Sequence, residues 1–398
     1  MDSPKIKWSL LYLSIIISIL LAFHTQIAVK LTVGHHKPRL KRTSDLPLRF
    51  RDDGTFKILQ VADMHFGIGS VTRCRDVLPS EFDFCSDLNT TRFLQRMIQS
   101  EKPDFIAFTG DNIFGTSTPD AAESLIRAFG PAMESKIPWA AVLGNHDHES
   151  TMTREELMTF ISLMDYSVSE INPSAGKGSM ISNIDGFGNY DHRVYGSPGS
   201  LLANQSVLNL YFLDSGSREV VEGIRTYGWI KESQLRWLRG VSKRYQGQKH
   251  ESNHLAEASV SAAPTALAFF HIPIPEIPQL YYQKIVGNFQ EAVACSSVNS
   301  RVLQSFVNMG DVKAVFMGHD HKNDFCGNLN GIWFCYGGGF GYHGYGKAGW
   351  SRRARVIVAE LGKGANSWMG VERIRTWKRL DDEKLTKIDE QTLWELEK

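Results

Sequence analysis

Five short segments bring together the side chains that could do chemistry: Asp63-Met64-His65, Gly110-Asp111-Asn112, Gly144-Asn145-His146-Asp147, the single His271, and Gly318-His319-Asp320-His321. Each alone has an ordinary reading. An Asp at a strand end is a solvated turn, Gly-Asp is a turn dipeptide, and Asn-His-Asp can cap a following helix. One histidine in an apolar run can sit satisfied in a core. The Gly-His-Asp-His run resists that treatment, because imidazoles two residues apart face the same side of a strand or turn. Taken together, the ordinary readings fail. Two carboxylates, one amide and four imidazoles count out as two metal shells. Carboxylate and imidazole suit Fe, Zn or Mn without any cysteine. A shared carboxylate can bridge two cations about 3.5–4 Å apart.

The elements around these segments explain how they could meet. Apolar runs over 57–61, 104–109, 139–143, 267–270 and 314–317 predict strands. Each is followed by one of Asp63, Asp111, Asn145, His271 or His319. Buried strands that release polar residues from their carboxyl ends place them along one sheet edge. Further strands are expected over 207–213, 332–336 and 355–361. Helices are expected over 89–100, 120–134 and 227–245, and Thr153 with Glu156 forms a capping box for another. Residues 247–263 are polar and small and read as a mobile surface loop. The charged stretch after Thr376 reads as a tail with a short helix over 389–396. This alternation supports an α/β fold.

Composition excludes several classes. With 398 residues, 42% apolar and 22% charged, the chain can bury a large core, and wholesale disorder or coiled-coil architecture is out. Lys and Arg total 44 against 43 Asp and Glu, so no global field draws it to nucleic acid. Residues 8–23 are nearly all apolar and follow Lys5 and Lys7, the form of a signal peptide. The stretch is short of the roughly 20 residues of a spanning helix. An uncleaved anchor is the alternative, although the basic run 35–42 on its far side would be the wrong flank for a luminal domain. Residues 1–30 are therefore read as signal or anchor, 31–53 as linker, 54–376 as the catalytic domain and 377–398 as tail. Sequons at Asn89 and Asn204 agree with export to a secreted or secretory location, with membrane attachment only if the leader is retained. Cys326 and Cys335 bracket a turn and Cys74 and Cys85 share a loop, so either pair could be bridged, with Cys295 left over. Five reduced thiols are the alternative.

The blocks D-x-H, G-D, G-N-H-D, a lone H and G-H-x-H, in this order from Asp63 to His321, resemble those of the calcineurin-like metallophosphoesterases. Stretches 57–63 and 333–340 are similar to the small plant purple acid phosphatases. The resemblance implies a four-layer αββα metallophosphoesterase fold: two packed mixed sheets flanked by helices. It implies a first metal held by Asp63, His65, Asp111 and His321. A second would be held by Asp111, Asn145, His271 and His319, with Asp111 the bridge. The two ions would be divalent or trivalent, Fe and Zn or Mn. Asn145 and His146 would contact the phosphoryl group, and His146 would protonate the leaving oxygen. Two cations lower the pKa of a bound water from 15.7 toward about 7, and that hydroxide attacks phosphorus. The implied activity is acid-phosphatase-like hydrolysis of phosphomonoesters on small molecules or proteins. A phosphodiesterase on the same site, or a metal-bound binding protein without turnover, is the alternative.

Two positions depart from the purple pattern. Phe114 stands where those enzymes place the tyrosine whose charge transfer to iron gives the colour, and His65 is the imidazole of the non-purple relatives. A colourless site is expected. In the Ser/Thr phosphatases the Phe114 position is an Asp that orients the histidine, so His146 is expected to lack that partner and catalysis to be slow. Weaker candidates remain. The glycine-rich run 337–346 reads as a close-packed loop rather than a phosphate cradle, with His343 either touching substrate or filling the loop. Arg352, Arg353 and Arg355 either attract anions or flank a solvated strand. Asp320 and His148 are assigned hydrogen bonding behind the ligands.

Overall fold

The computed structural model describes residues 4–32, 41, 47–173, 183–252, 264–364 and 367–396. The chain divides into two compact units, Met1–Arg42 and Thr43–Lys398. Among its described residues the first holds one helix, α1 (Pro4–Thr32), whose described apolar side chains, from Trp8 to Phe23, are largely exposed. Among the described residues no helix is long and apolar enough to cross a membrane.

The second unit is built on two mixed sheets. The first has six strands: β1 (Thr55–Val61), β2 (Phe105–Thr109), β3 (Trp139–Val142), β13 (Arg353–Lys363), β14 (Trp368–Leu380) and β15 (Lys387–Glu395), in the order β15-β14-β13-β1-β2-β3. Its β1, β2 and β3 run parallel. The second sheet comprises β4 (Tyr190–Tyr195), β5 (Ser206–Phe212), β8 (Thr265–Phe269), β9 (Ile285–Val286), β10 (Val312–Met317), β11 (Cys326–Leu329) and β12 (Ile332–Tyr336), ordered β4-β5-β8-β10-β12-β11-β9. Here β5, β8, β10 and β12 are parallel. A separate hairpin joins β6 (Arg218–Val221) to β7 (Ile224–Tyr227).

The period-2 alternation of strands divides the apolar residues between two cores. Leu208, Leu210 and Phe212 of β5, Leu267 and Phe269 of β8, and Phe316 of β10 share one core with Ile58, Phe105 and Ile357 of the first sheet. The alternate residues Tyr211, Ala266, Ala268, Val315 and Met317 join Leu235, Leu238 and Val241 of α6 (Glu232–Ser252) and Phe306 of α7 (Val302–Met309). Helices α3 (Asp87–Glu101), α4 (Ala121–Ser135) and α5 (Arg154–Leu163) bury Phe93, Leu125, Phe129 and Leu157 in the first core. The expected capping box of Thr153 and Glu156 opens α5. Both anticipated disulfides are present: Cys74–Cys85 closes a loop containing the short α2 (Pro79–Phe82), and Cys326–Cys335 joins register partners on β11 and β12. Cys295 is free.

Four sequence expectations are corrected. Residues 227–231 are not helical, because Tyr227 closes the hairpin and α6 starts at Glu232. That helix runs on through 247–252, the start of the expected loop, while 253–263 lie outside the described residues. The expected helix over 389–396 is mostly strand β15, tied to β14 by Arg373–Glu395 and Arg375–Glu390 pairs. The stretch read as linker through residue 53 already contributes Leu48 and Phe50 to the core.

The three arginines expected at a solvated flank or an anion-attracting surface are also reassigned, because all are buried. Arg352 donates to the carbonyls of Arg75, Gly344 and Tyr345. Arg355 donates to those of Tyr336 and Asp324. Arg353 and Lys378 both pair with the buried Asp324 carboxylate, at 2.6 and 2.7 Å. Burial works to raise the Asp324 carboxyl, but Lys378 and Arg353 override it and hold it below its ordinary value. Removing this charge strands the buried Arg353 guanidinium and leaves Lys378 only its Asp389 partner, at 2.6 Å, so Asp324→Asn is expected to cost about 3–5 kcal/mol in urea unfolding at neutral pH. The wild-type contribution is complete above the unfolded carboxyl value of about 3.9 and is lost as pH falls through the lower folded value.

Candidate metal centre

The carboxyl ends of β1, β2 and β3 in one sheet and β8 and β10 in the other deliver the five segments to one place. Backbone hydrogen bonds tie them across elements: Asp63 N–H to Gly110 O at 3.1 Å, His65 N–H to Asp111 O at 2.8 Å, and Gly318 N–H to His271 O at 3.2 Å. The His319 amide donates to the Asp63 carboxylate at 2.9 Å. Asp63, His65, Asp111 and His319 all have positive φ, between 46° and 81°. Such residues cost of order 1–3 kcal/mol each and persist where the surroundings over-determine them.

The side chains form two buried clusters, Asp63 with His65 and His321, and Asp111 with His271 and His319; within each, the potential donor atoms lie within 4.8 Å of one another. Asp111 joins them: its Oδ2 is 3.4 Å from His65 Nε2 and 3.2 Å from His271 Nε2. His65 Nε2 and His321 Nε2 face each other at 2.9 Å, and Asn145 Oδ1 lies 3.3 Å from His271 Nε2. The outer ring nitrogens are held from behind, His271 Nδ1 by Thr109 O at 2.9 Å and His321 Nδ1 by Tyr345 O at 2.7 Å. The Tyr345 ring also stacks on His321 with centroids 3.9 Å apart.

Electrostatics suit cation binding. Burial holds His65 and His319 well below the ordinary histidine value and His321 at about 3, so these rings stay neutral donors. Burial raises Asp63. Burial also works to raise Asp111, but His271 and then His65 bring it well below the carboxylate range. Both ring nitrogens of His319 and the Asn145 Nδ2 are buried without a partner. An unpaired buried imidazole beside clustered carboxylates is costly unless a cation completes it, as one on a His319 ring nitrogen would, so the residues present fit metals.

Close backbone approach is part of the construction. A Cβ on Gly144 would meet Asp111 Oδ1 at 2.1 Å, and one on Gly341 would meet Met64 O at 1.7 Å. The run 337–346 therefore is the close-packed loop expected beside the site. Gly144→Ala is expected to displace Asp111, lowering bound metal at least tenfold by elemental analysis while the fold survives by circular dichroism.

His146 differs from expectation. Its amide donates to Asp111 Oδ1 at 2.8 Å, and its half-buried ring packs on Phe114 at 4.9 Å between centroids. Phe114 offers no carboxylate, but Glu149 does: its Oε2 lies 2.7 Å from His146 Nδ1. The ring does have an orienting partner, three residues on in the same turn. Arg218 pairs with the other Glu149 oxygen and reaches His146 Nε2 at 3.1 Å. Sequence reading missed Glu149, Arg218 and Tyr345. His343 is the loop-filling alternative, with Nδ1 to Arg73 O at 2.7 Å and Nε2 to Ser117 Oγ at 3.0 Å. Asp320 receives Tyr336 Oη–H at 2.7 Å and the Ala294 amide rather than a hydrogen bond from a metal-site imidazole. His148 Nε2 is 3.5 Å from Ser217 Oγ. Asp147 fixes the loop through the amides of Ile113 and Gly144. Of the sequons, Asn204 is exposed, and Asn89 lies in the first turn of α3 and accepts the Ser86 amide.

Two mixed sheets with a paired Asp/His centre where their strand ends meet define a dimetal phosphoesterase. The chain belongs to the calcineurin-like phosphoesterase family, whose pattern matches residues 56–323. It is 65% identical to the Arabidopsis thaliana protein named probable inactive purple acid phosphatase 28, over 98% of this chain and 96% of that one. It is 52% identical to the Arabidopsis probable inactive purple acid phosphatase 29, over 87% and 88%. Phosphatase DCR2 of Saccharomyces cerevisiae is 34% identical over 84% of this chain and 55% of its own length. A dimetal phosphatase from Danio rerio has the same fold, with a TM-score of 0.50 at 15% identity, covering 86% of this chain and 99% of that one.

Proposed function

We propose that the protein hydrolyses phosphate monoesters at a two-metal centre. The observation that carries this is the placement of Asp111 Oδ2, within 3.4 Å of His65 Nε2 on one side and 3.2 Å of His271 Nε2 on the other, at the junction of the two clusters. Asp63, His65, Asp111 and His321 would hold one cation, and Asp111, Asn145, His271 and His319 the other. Iron with zinc or manganese matches these oxygen and nitrogen donors. Such ions, when bound, neutralise phosphoryl oxygens and activate water.

The chain's own residues would do the rest. Asn145 steers a phosphoryl oxygen. His146, fixed at Nδ1 by Glu149, presents Nε2 to the leaving oxygen and gives it a proton, and the Glu149 carboxylate offsets the charge of the imidazolium. Phe114 brings no phenolate to the site, which supports a colourless protein. The reading without turnover draws on the names of the plant relatives, and the oriented His146 argues against it. Two disulfides and the exposed Asn204 are compatible with a secretory location, which we propose with glycosylation at Asn89 and Asn204.

The test is hydrolysis of p-nitrophenyl phosphate and bis-p-nitrophenyl phosphate by protein reconstituted with iron, zinc or manganese. Faster monoester turnover supports the proposal. Faster diester turnover replaces it with a phosphodiesterase, and no turnover with two bound metals leaves a binding protein.

A further inference from the structure

We propose that Arg218 is a phosphoryl-binding residue of this site, held in position by Glu149. The proposal rests on reading the site as one for phosphate esters. Arg218 opens the β6–β7 hairpin, which lies outside both sheets. Its Nη1 pairs with Glu149 Oε1 and lies 3.5 Å from Asn145 O, and its Nη2 is 3.1 Å from His146 Nε2. Glu149 thus grips two groups, using one oxygen for the guanidinium and the other for His146 Nδ1.

Donor arithmetic gives this arrangement a direction. A guanidinium only donates, so in this arrangement Nε2 of His146 accepts and Nδ1 carries the hydrogen toward Glu149; Nε2 can take up the proton it gives the leaving oxygen only once Arg218 has turned to the phosphoryl group. Glu149 is therefore a positioning residue for both partners. The Nη2 donor lies against the atom assigned to the leaving oxygen, where the incoming phosphate would place its own oxygens. A planar fork with fixed charge matches two such oxygens better than any other side chain. With its side chain 47% exposed, Arg218 is free to turn from Nε2 to an arriving anion, while the 20% exposed Glu149 stays anchored.

The hairpin also supplies room for the rest of the ester. A cavity of about 770 Å³ is lined by Arg218, Glu219, Val220, Arg225, Thr226 and Tyr227. Tyr227 meets His319 edge-on with centroids 4.5 Å apart, so this hollow opens beside the metal clusters. Of the residues lining it, Val220 is 65% exposed, which leaves an apolar lip for an organic leaving group.

The test is calorimetric binding of inorganic phosphate to metal-loaded wild type, Arg218→Ala, Arg218→Lys and Glu149→Ala, with metal content measured on each. Arg218→Ala is expected to weaken phosphate binding roughly 10- to 100-fold with metal unchanged, and Arg218→Lys to recover part of it. With p-nitrophenyl phosphate, Arg218→Ala should act mainly on KM, whereas Glu149→Ala should raise KM and also lower kcat. Unchanged phosphate affinity in Arg218→Ala at full metal content would overturn the proposal, as would a wild type that binds no phosphate. Wild type that binds phosphate through Arg218 yet hydrolyses no ester would overturn the hydrolase reading and leave this one standing.

Discussion

Replacing Asp111 with Asn is expected to abolish occupancy of both metal sites and to lower turnover by on the order of 10³-fold, the equivalent of about 4 kcal/mol of transition-state stabilisation. The same carboxylate faces both clusters through Oδ2 and anchors the His146 amide through Oδ1. An amide of the same shape removes the charge both cations would share and can point an N–H₂ where a lone pair is required. His271 reports the same dependence. Burial works to lower its value, yet Asp111 and then Asp63 raise it to about 9. Loading metal must release that proton, so metal affinity is expected to rise with pH up to that value. The variant should fold, since the amide keeps the shape of the carboxylate and His271, no longer raised by Asp111, can give up its proton and sit neutral. The measurement is thermal unfolding with and without added metal. Ligand at a thousand times its Kd stabilises by about 4.1 kcal/mol, so wild type should gain several degrees while Asp111→Asn should not move. A variant that retains two metals and wild-type turnover would dismiss Asp111 as the bridge.

The site was legible in the sequence because each piece is local. An apolar run that stops and releases Asp, Asn or His is readable without knowing its partners, and strand ends in parallel sheets lie at one edge. What failed depended on distant residues. Arg353 reads as a surface charge until Asp324, from a preceding loop, is placed against it. The 387–395 stretch has charges that suit a helix, and it becomes a strand because the free edge of β14 offers it an antiparallel backbone ladder, with Arg373–Glu395 and Arg375–Glu390 pairs alongside. Glu149 is only three residues from His146, yet its role shows only when the turn brings it onto Nδ1 and the hairpin brings Arg218 beside it. Reading Phe114 as the loss of an orienting carboxylate overlooked that another chain position can supply the same oxygen.

His146→Ala is expected to lower kcat by 10²- to 10⁴-fold, the range of a lost general acid. The size of the loss should depend on the ester. A p-nitrophenolate leaves as a stable anion and needs little help, whereas an alkoxide needs a proton as its bond to phosphorus breaks. The variant should therefore sit near the low end of that range on p-nitrophenyl phosphate and near the high end on an alkyl phosphate. Metal content should hold at two per chain, because the His146 imidazole belongs to neither cluster and the amide that binds Asp111 survives the substitution. The check is a series of monoesters of graded leaving-group pKa, with kcat plotted for wild type and variant. A steeper slope in the variant assigns proton transfer to His146. Parallel lines would mean that the ring only orients the phosphoryl group, and the proton would then have to come from another donor at the mouth of the site.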